Sequence, residues 1–154
     1  MKLRVVHVGE RAPAWVDEAL QTYRVRMHRF TTFEEVSVRP ETFRGDEDAV
    51  RKAESDRILA GVSSRDRLIA LDERGKAFDT RGFAALLDEG MQADGRLVLA
   101  IGGAYGHHAR LREAAWRLVR LSDLVLAHDV ARVVLAEQVY RAFTVLRGMP
   151  YHHG

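Results

Sequence analysis

The chain carries an uninterrupted apolar run, Leu97-Val98-Leu99-Ala100-Ile101, which leads directly into Gly102-Gly103-Ala104-Tyr105-Gly106. A run that is apolar at every position predicts a strand buried on both faces, as in the centre of a parallel sheet. Ligands of open α/β sheets bind outside the carboxyl ends of the strands, so these glycines are a candidate binding site. A tight strand-to-helix turn would use the same glycines, and the motif alone leaves both interpretations open. It is neither a dinucleotide fingerprint nor a P-loop.

Patterns on both sides of this run predict alternating strands and helices. Further strands are expected at Leu3–Val8, Phe33–Val38, Leu68–Asp72 and Leu124–Leu126. Helices are expected from Pro13 onward, over Glu47–Leu59, after a cap at Thr80, over His108–Leu121 and over Val130–Leu146. Residues 39–48 are expected to form a loop, and Glu73–Lys76 a polar turn. The alternation predicts an α/β fold with one mostly parallel sheet flanked by helices, in a single domain of residues 1–154.

Composition limits the function classes. The chain has 154 residues, of which 47% are hydrophobic, which is enough for one buried core. Its length is that of one typical domain and is too short for two. Its 24 basic and 22 acidic side chains give a net charge of +2, so a nucleic-acid site would have to be a local patch. Cysteine is absent, which excludes disulfides and thiolate chemistry. Without a signal peptide or a long apolar span, the chain is expected to be cytoplasmic.

Three segments near the C-terminus carry candidate functional groups. Ser122-Asp123-Leu124-Val125-Leu126-Ala127 ends a predicted strand, although Asp123 alone would also suit a turn. His128, Arg132, Glu137 and Arg141 follow on the closing helix, where Glu137 and Arg141 have the spacing of a surface ion pair. The tail Pro150-Tyr151-His152-His153 places an aromatic ring beside an imidazole, a pair that can stack on a base and handle a proton. Chain ends are often frayed, so each segment alone also has a purely structural interpretation.

Taken together, these motifs resemble the RlmH-type SPOUT methyltransferases, which methylate N3 of a pseudouridine in large-subunit ribosomal RNA. The resemblance covers the chain from Met1-Lys2-Leu3 and Pro13-x-Trp15-Val16 to the tail. Its most specific part is the block Leu135-Ala136-Glu137-Gln138-Val139-Tyr140-Arg141-Ala142 with Pro150-Tyr151-His152. Two positions depart from the family pattern. Asp129 stands where the family commonly has proline, and His153 replaces a permanent cation.

The resemblance implies a C-terminal trefoil knot, a homodimer that builds the active site, and S-adenosylmethionine as cofactor. Carried over by position, the cofactor contacts would be Leu71, Gly103, Ser122, Asp123, Leu124, Val125, Leu126 and Ala127. A side chain at Gly103 is expected to fill space that the adenosine needs. No metal is implied.

The resemblance also implies the reaction, which moves a methyl group to N3 of a pseudouridine in 23S ribosomal RNA. Tyr151 and His152 are the residues expected to contact and deprotonate the base. Arg132 or Arg141 would stabilise charge or bind a phosphate, and His128 is a lesser catalytic candidate. With a net charge of only +2, the expected substrate is the assembled ribosome, not DNA or a membrane. Two alternatives are a non-catalytic ribosome-binding factor and a nucleotide-binding module without an RNA role.

Overall fold

The computed structural model describes residues 2–9 and 11–154, so that Met1, the first residue of the predicted domain, lies outside it. The elements in chain order are β1 (Lys2–Val8), α1 (Ala14–Met27), β2 (Thr32–Val38), α2 (Glu47–Ala60), β3 (Arg67–Ala77), α3 (Thr80–Gly90), β4 (Leu97–Ile101), α4 (Ala109–Ala114), β5 (Arg117–Arg120) and α5 (His128–Leu146). The strands form one five-stranded sheet in the order β2-β1-β4-β3-β5. Every strand pair is parallel. The predicted single-domain α/β fold is confirmed.

Helices cover both faces of the sheet. On one face, side chains of β1, β3 and β4 pack against α3, α5 and the end of α1, through residues such as Leu99, Leu87 and Leu135. On the other face, the alternate strand residues pack against Ile58 of α2 and Leu111 of α4. All five residues of β4 are buried, as the uninterrupted apolar run predicts. Within residues 2–9 and 11–154 no helix is long and apolar enough to cross a bilayer.

The segment after β4 differs from the sequence prediction. The helix predicted over residues 108–121 ends at Ala114, and the next residues form β5 on the free edge of β3. The predicted strand Leu124–Leu126 is a loop in which Val125 is 95% exposed. A four-residue strand with two arginines has too little apolar alternation to be distinguished from a helix end. Its position is fixed by β3, which offers backbone partners to Leu118 and Val119.

The predicted turn at Glu73–Lys76 lies within β3, where it interrupts the pairing of β3 with β5. Val119 is paired with Leu71 before the irregularity and with Lys76 after it. At this point Gly75 passes so close to β5 that an added Cβ would lie 2.6 Å from the Val119 backbone. Only glycine fits that approach, and residues 72–74 are thereby pushed out to the carboxyl edge of the sheet.

Helix α4 starts at Ala109 instead of His108, and α5 starts at His128 instead of Val130. Two further helix starts shift by one residue. The cap of α3 is Asp79, whose carboxylate accepts a hydrogen bond from the Gly82 amide, whereas Thr80 is the first helical residue. Pro13 precedes α1 as its N-cap and does not occupy the first helical position. Both shifts lie within the ordinary uncertainty of helix boundaries.

Candidate functional site

A cleft of about 530 Å³ opens at the carboxyl ends of β3, β4 and β5. Its floor is formed by Leu71 and Ile101, the last two residues through which β3 pairs with β4. Its walls are the glycine loop after β4 (residues 102–106), the displaced residues 72–74 and the loop of residues 121–126. The volume is in the range of pockets that bind small molecules and cofactors. The glycine loop is therefore part of a pocket as well as a turn.

The structure brings together all of the predicted cofactor residues except one. The cleft is lined by Leu71, Gly103, Ser122, Asp123, Leu124, Val125 and Leu126. The exception is Ala127, the N-cap of α5, which does not line the cleft. Ala131, in the first turn of α5, lines the cleft instead. In the loop, the Ser122 hydroxyl accepts a hydrogen bond from the Leu124 amide at 3.0 Å, and Asp123 pairs with Arg120 at 2.9 Å.

Gly103 faces the protein interior, contrary to the expectation that a side chain there would fill the cleft. An added Cβ would lie 2.6 Å from Oε1 of Glu54 and 3.2 Å from Val8. Glu54 is only 4% exposed, and its Oε1 has no hydrogen-bond partner among the described residues. Burial raises the pKa of this carboxyl. Gly103 therefore lets the loop pack against a buried acid of α2.

Helix α2 also holds the glycine loop through its polar side chains. Arg51 Nε donates to the Tyr105 carbonyl at 2.8 Å, and the Ser55 hydroxyl accepts from the His108 amide at 2.9 Å. The C-terminal part of the loop and the residue just before α4 are therefore tied to one helix. Such contacts pre-organise a binding loop, since its shape is then fixed before a ligand arrives.

His128, the first residue of α5, connects the cleft to a buried second histidine. Its Nδ1 lies 3.2 Å from the Gly102 carbonyl, which can only accept, so Nδ1 carries the hydrogen. Its Nε2 lies 3.3 Å from Nδ1 of His7. Because the hydrogen of the neutral His128 ring is on Nδ1, Nε2 of His128 accepts a hydrogen bond from Nδ1 of His7. Burial, followed by the nearby Arg132 guanidinium, lowers the pKa of His7 to about 4 and also lowers the pKa of His128. The pair is neutral at physiological pH and orients the Gly102 carbonyl.

Arg132 lies behind these histidines and is nearly buried. Its guanidinium is 3.6 Å from Glu35 of β2 and 3.8 Å from Asp129. Its Nε has no partner among the described residues. A guanidinium held between two carboxylates on the protein side is better placed to support the start of α5 than to bind a phosphate in solvent.

The tail folds back onto α5 in a separate cluster of residues. The Tyr151 hydroxyl donates to Glu137 Oε2 at 2.7 Å, and Arg141 binds the same carboxylate at 2.8 Å. Arg141 also donates to Nδ1 of His152 at 3.2 Å, which leaves the ring hydrogen on Nε2. The predicted pairing of Glu137 with Arg141 is confirmed.

Protonation in this cluster is set by the shared carboxylate. Burial alone would raise the pKa of Glu137, but the hydrogen bonds from Arg141 and Tyr151 outweigh it and hold the pKa below its usual range. Burial and the Glu137 carboxylate raise the pKa of Tyr151 to about 12. The phenol is therefore a hydrogen-bond donor at neutral pH and a poor base.

Within one chain the predicted catalytic residues form two groups. His128 and Arg132 lie beside the cleft, whereas Tyr151 and His152 contact Glu137 and Arg141. Those contact residues are six and ten positions beyond Ala131 on α5, or about 9 and 15 Å along the helix axis at 1.5 Å per residue. A single chain does not place the tail at the cleft.

Three polar residues of the site whose side chains are little exposed were not singled out by the sequence. His7 is the next-to-last residue of an apolar strand, and Glu35 lies in a strand whose alternation it weakens. Glu54 gave a usable signal, because it lies one helical turn from both Val50 and Ile58, on the buried face of α2. A carboxylate at helical spacing between two apolar residues indicates a buried acid with a specific role.

Comparisons with known proteins identify the family of the chain. A family described as predicted SPOUT methyltransferase matches residues 1–152. A protein of Chromobacterium violaceum named ribosomal RNA large subunit methyltransferase H is 41% identical over 154 residues, covering 99% of each chain. Proteins of the same name from Laribacter hongkongensis and Pelobacter propionicus are each 41% identical over 155 and 156 residues, with coverage of at least 99%. The family match over residues 1–152 and the full-length similarity to these relatives show that the chain belongs to the SPOUT methyltransferase family.

Proposed function

We propose that this methyltransferase uses S-adenosylmethionine to methylate N3 of a pseudouridine in 23S ribosomal RNA, and that it acts on the assembled ribosome in the cytoplasm. The observation that carries the proposal is the cleft at the carboxyl ends of β3, β4 and β5, lined by the glycine loop and residues 121–126. The names of the full-length relatives supply the substrate class, large-subunit ribosomal RNA.

The residues of the cleft fit the proposed cofactor. Leu71, Ile101 and Leu126 offer apolar surface for an adenine ring, and the glycine loop lets backbone groups approach it. Glu73, an exposed residue of the cleft wall, supplies a carboxylate for hydroxyl groups or for a positive charge. When bound, S-adenosylmethionine supplies a methyl group already activated by its sulfonium. The main task of the protein is then to position the acceptor.

The tail residues are proposed to contact and deprotonate the target base. N3 of a pseudouridine must lose its proton, and its ring then carries a negative charge. His152 accepts that proton at Nδ1 once Arg141 leaves this nitrogen, and Arg141 turns to the developing anion. Tyr151, kept as a phenol by Glu137, contacts the base through its ring and its hydroxyl. Arg132 and His128 support the start of α5 and the Gly102 carbonyl beside the cleft.

A homodimer would bring the two groups of residues together. The tail of one chain is proposed to complete the cleft of the other, since within a chain the two lie apart. Exposed apolar residues at the cleft support a covering partner, because Leu124 and Val125 are 78% and 95% exposed and Val130 follows on α5.

Two binding measurements separate this proposal from its alternatives. Calorimetry should show S-adenosylmethionine binding with one site per chain, which a non-catalytic ribosome-binding factor would lack. Co-sedimentation should show the protein with intact ribosomes, which a nucleotide-binding module without an RNA role would not do. Binding of the cofactor without ribosome association would reject the proposed substrate and keep the enzyme class.

A further inference from the structure

Three arginines without acidic partners lie together where two helices end. Arg26 is in the last turn of α1, Arg29 follows that helix, and Arg147 is the C-cap of α5. All three are exposed. We refer to Arg26, Arg29 and Arg147 as the guanidinium patch. None of their side chains forms an ion pair or a hydrogen bond within residues 2–9 and 11–154.

Aromatic rings orient these guanidinium groups. Arg26 lies 5.7 Å from the ring centre of Tyr23 and 5.5 Å from that of Tyr140. Arg29 and Arg147 lie 5.8 and 5.7 Å from the ring centre of Phe30. Contact with a ring face restrains a long side chain while its N–H groups remain available in the plane of the guanidinium. The patch is thus partly ordered before it meets a partner.

The patch contrasts with several arginines that pair with acidic side chains. Arg4 pairs with Glu34 at 2.7 Å, Arg96 pairs with Asp66 at 2.7 Å, and Arg141 pairs with Glu137 at 2.8 Å. Three neighbouring positive charges without a carboxylate repel one another, and an anionic partner would relieve that repulsion. On a chain with a net charge of only +2, such a patch is the local concentration that nucleic-acid binding needs.

Ring contacts connect the patch to the tail. Tyr140, which lies under Arg26, meets Tyr151 edge-to-face at a centroid distance of 4.7 Å. Phe30, which lies under Arg29 and Arg147, stacks on Phe143 of α5 at 5.3 Å. A strand held by the patch would therefore pass next to the residues proposed to contact the target base. Guanidinium groups interleaved with aromatic rings are typical of RNA-binding surfaces.

From this geometry we infer that the guanidinium patch binds the phosphate backbone of the substrate RNA next to the modified nucleotide. The inference rests on the proposed function, because it locates the RNA strand on the same enzyme. It adds a phosphate-binding surface outside the cleft and the tail, formed by the ends of α1 and α5.

The test compares the salt dependence of ribosome binding in matched variants. The first variant is Arg26→Gln/Arg29→Gln/Arg147→Gln. The second, Arg26→Lys/Arg29→Lys/Arg147→Lys, keeps the charge. A control, Lys52→Gln/Arg65→Gln/Arg110→Gln, removes the same charge from exposed residues of α2, the following turn and α4. Affinity for intact ribosomes is measured between 50 and 200 mM salt, together with calorimetry of S-adenosylmethionine and thermal denaturation of each variant.

The Gln variant should bind ribosomes at least tenfold more weakly at low salt, and its log–log salt slope should fall by about 2–3, close to one unit per lost phosphate contact. The Lys variant should keep most of the slope, and the control should match wild type. Cofactor affinity should be unchanged in all three. A Gln variant with the affinity and slope of wild type, or a control that loses as much, would overturn the inference. Methyl transfer by wild type to the same ribosomes tests the proposed function separately, so the two can fail independently.

Discussion

At the scale of single residues, the buried histidine pair makes the stability of the fold depend on pH. His7 is 5% exposed, and burial together with Arg132 and His128 lowers its pKa to about 4 from 6.5. A lowered histidine pKa means that the unfolded chain binds more protons between these two values. Stability is therefore fully present above pH 6.5 and is lost as the pH falls toward 4.

We expect the free energy of unfolding to drop by about 2 kcal/mol between pH 7 and pH 5 because of His7. Urea denaturation of wild type and His7→Asn at both pH values measures the contribution of His7 to the free energy of unfolding. Asparagine keeps a donor toward His128 but does not titrate. The difference between the two proteins in their pH dependence should be close to that value. Equal pH dependence in both would show that His7 is not the titrating group.

Gly103 and Glu54 give a second test at this scale. Gly103→Ala should destabilise the fold by about 1–3 kcal/mol, because its Cβ would lie 2.6 Å from the Glu54 carboxylate. In the background of Glu54→Ala the same change should cost less, and the difference is the coupling energy between the two positions. A Gly103→Ala variant of normal stability that fails to bind S-adenosylmethionine would mean that the side chain points into the cleft after all.

At the scale of elements, the sequence predicts the helices and strands whose apolar spacing is regular. The buried run of β4 and the amphipathic spacing in α3 and α5 are sufficient to place those elements. Residues 115–127 do not follow such a pattern. The apolar residues Leu124 and Val125 suggest a strand but lie on a loop at the cleft, where they are exposed. Exposed apolar residues at a functional site look like core residues in a sequence, so the prediction is wrong there.

The C-terminal tail is the element whose removal separates binding from reaction. Deleting residues 151–154 removes the Tyr151 contacts with Glu137 and Tyr140 and should cost only about 1–2 kcal/mol of stability. Cofactor affinity should barely change, and methyl transfer to ribosomes should fall by at least a hundredfold, because base contact and proton removal are lost together.

A matched variant, Glu137→Gln, keeps the tail but weakens its attachment, since a neutral amide binds Arg141 less strongly than the carboxylate does. It should lose activity by a smaller factor than the truncation. A truncated enzyme that methylates ribosomes at the rate of wild type would remove Tyr151 and His152 from the proposed reaction.

At the scale of the whole molecule, the separation of cleft and tail predicts a composite site in a dimer. Sedimentation should give about twice 17.4 kDa at micromolar concentration. Two inactive variants should then complement each other. One lacks residues 151–154, and the other, Leu126→Trp, fills the cleft with an indole ring.

After subunit exchange, the mixture should recover about a quarter of wild-type activity, because half of the dimers are mixed and each holds one intact site. Each variant alone, at the same total concentration, is the control. Full activity in a monomer, or a mixture no more active than its parts, would exclude a site shared between chains.

Periodicity and spacing predict the parallel sheet and the edge at which the cleft opens, because both follow from short-range patterns. They do not predict the contact between His7 and His128, which lie 121 residues apart, or the hydrogen bond between Tyr151 of the tail and Glu137. Such contacts depend on how the chain packs as a whole. The trefoil knot comes from the family resemblance alone and stays a prediction. The dimer, which the separation of cleft and tail also supports, stays a prediction as well.

The most direct test of the proposed activity uses ribosomes from a strain that lacks this enzyme. They are incubated with the purified protein and S-adenosylmethionine that carries a deuterated methyl group, and the 23S RNA is digested and examined by mass spectrometry. We expect a single labelled nucleoside, a pseudouridine with the methyl group on N3. Label on a different atom or nucleotide, or no label in the RNA while the protein binds the cofactor, would contradict it.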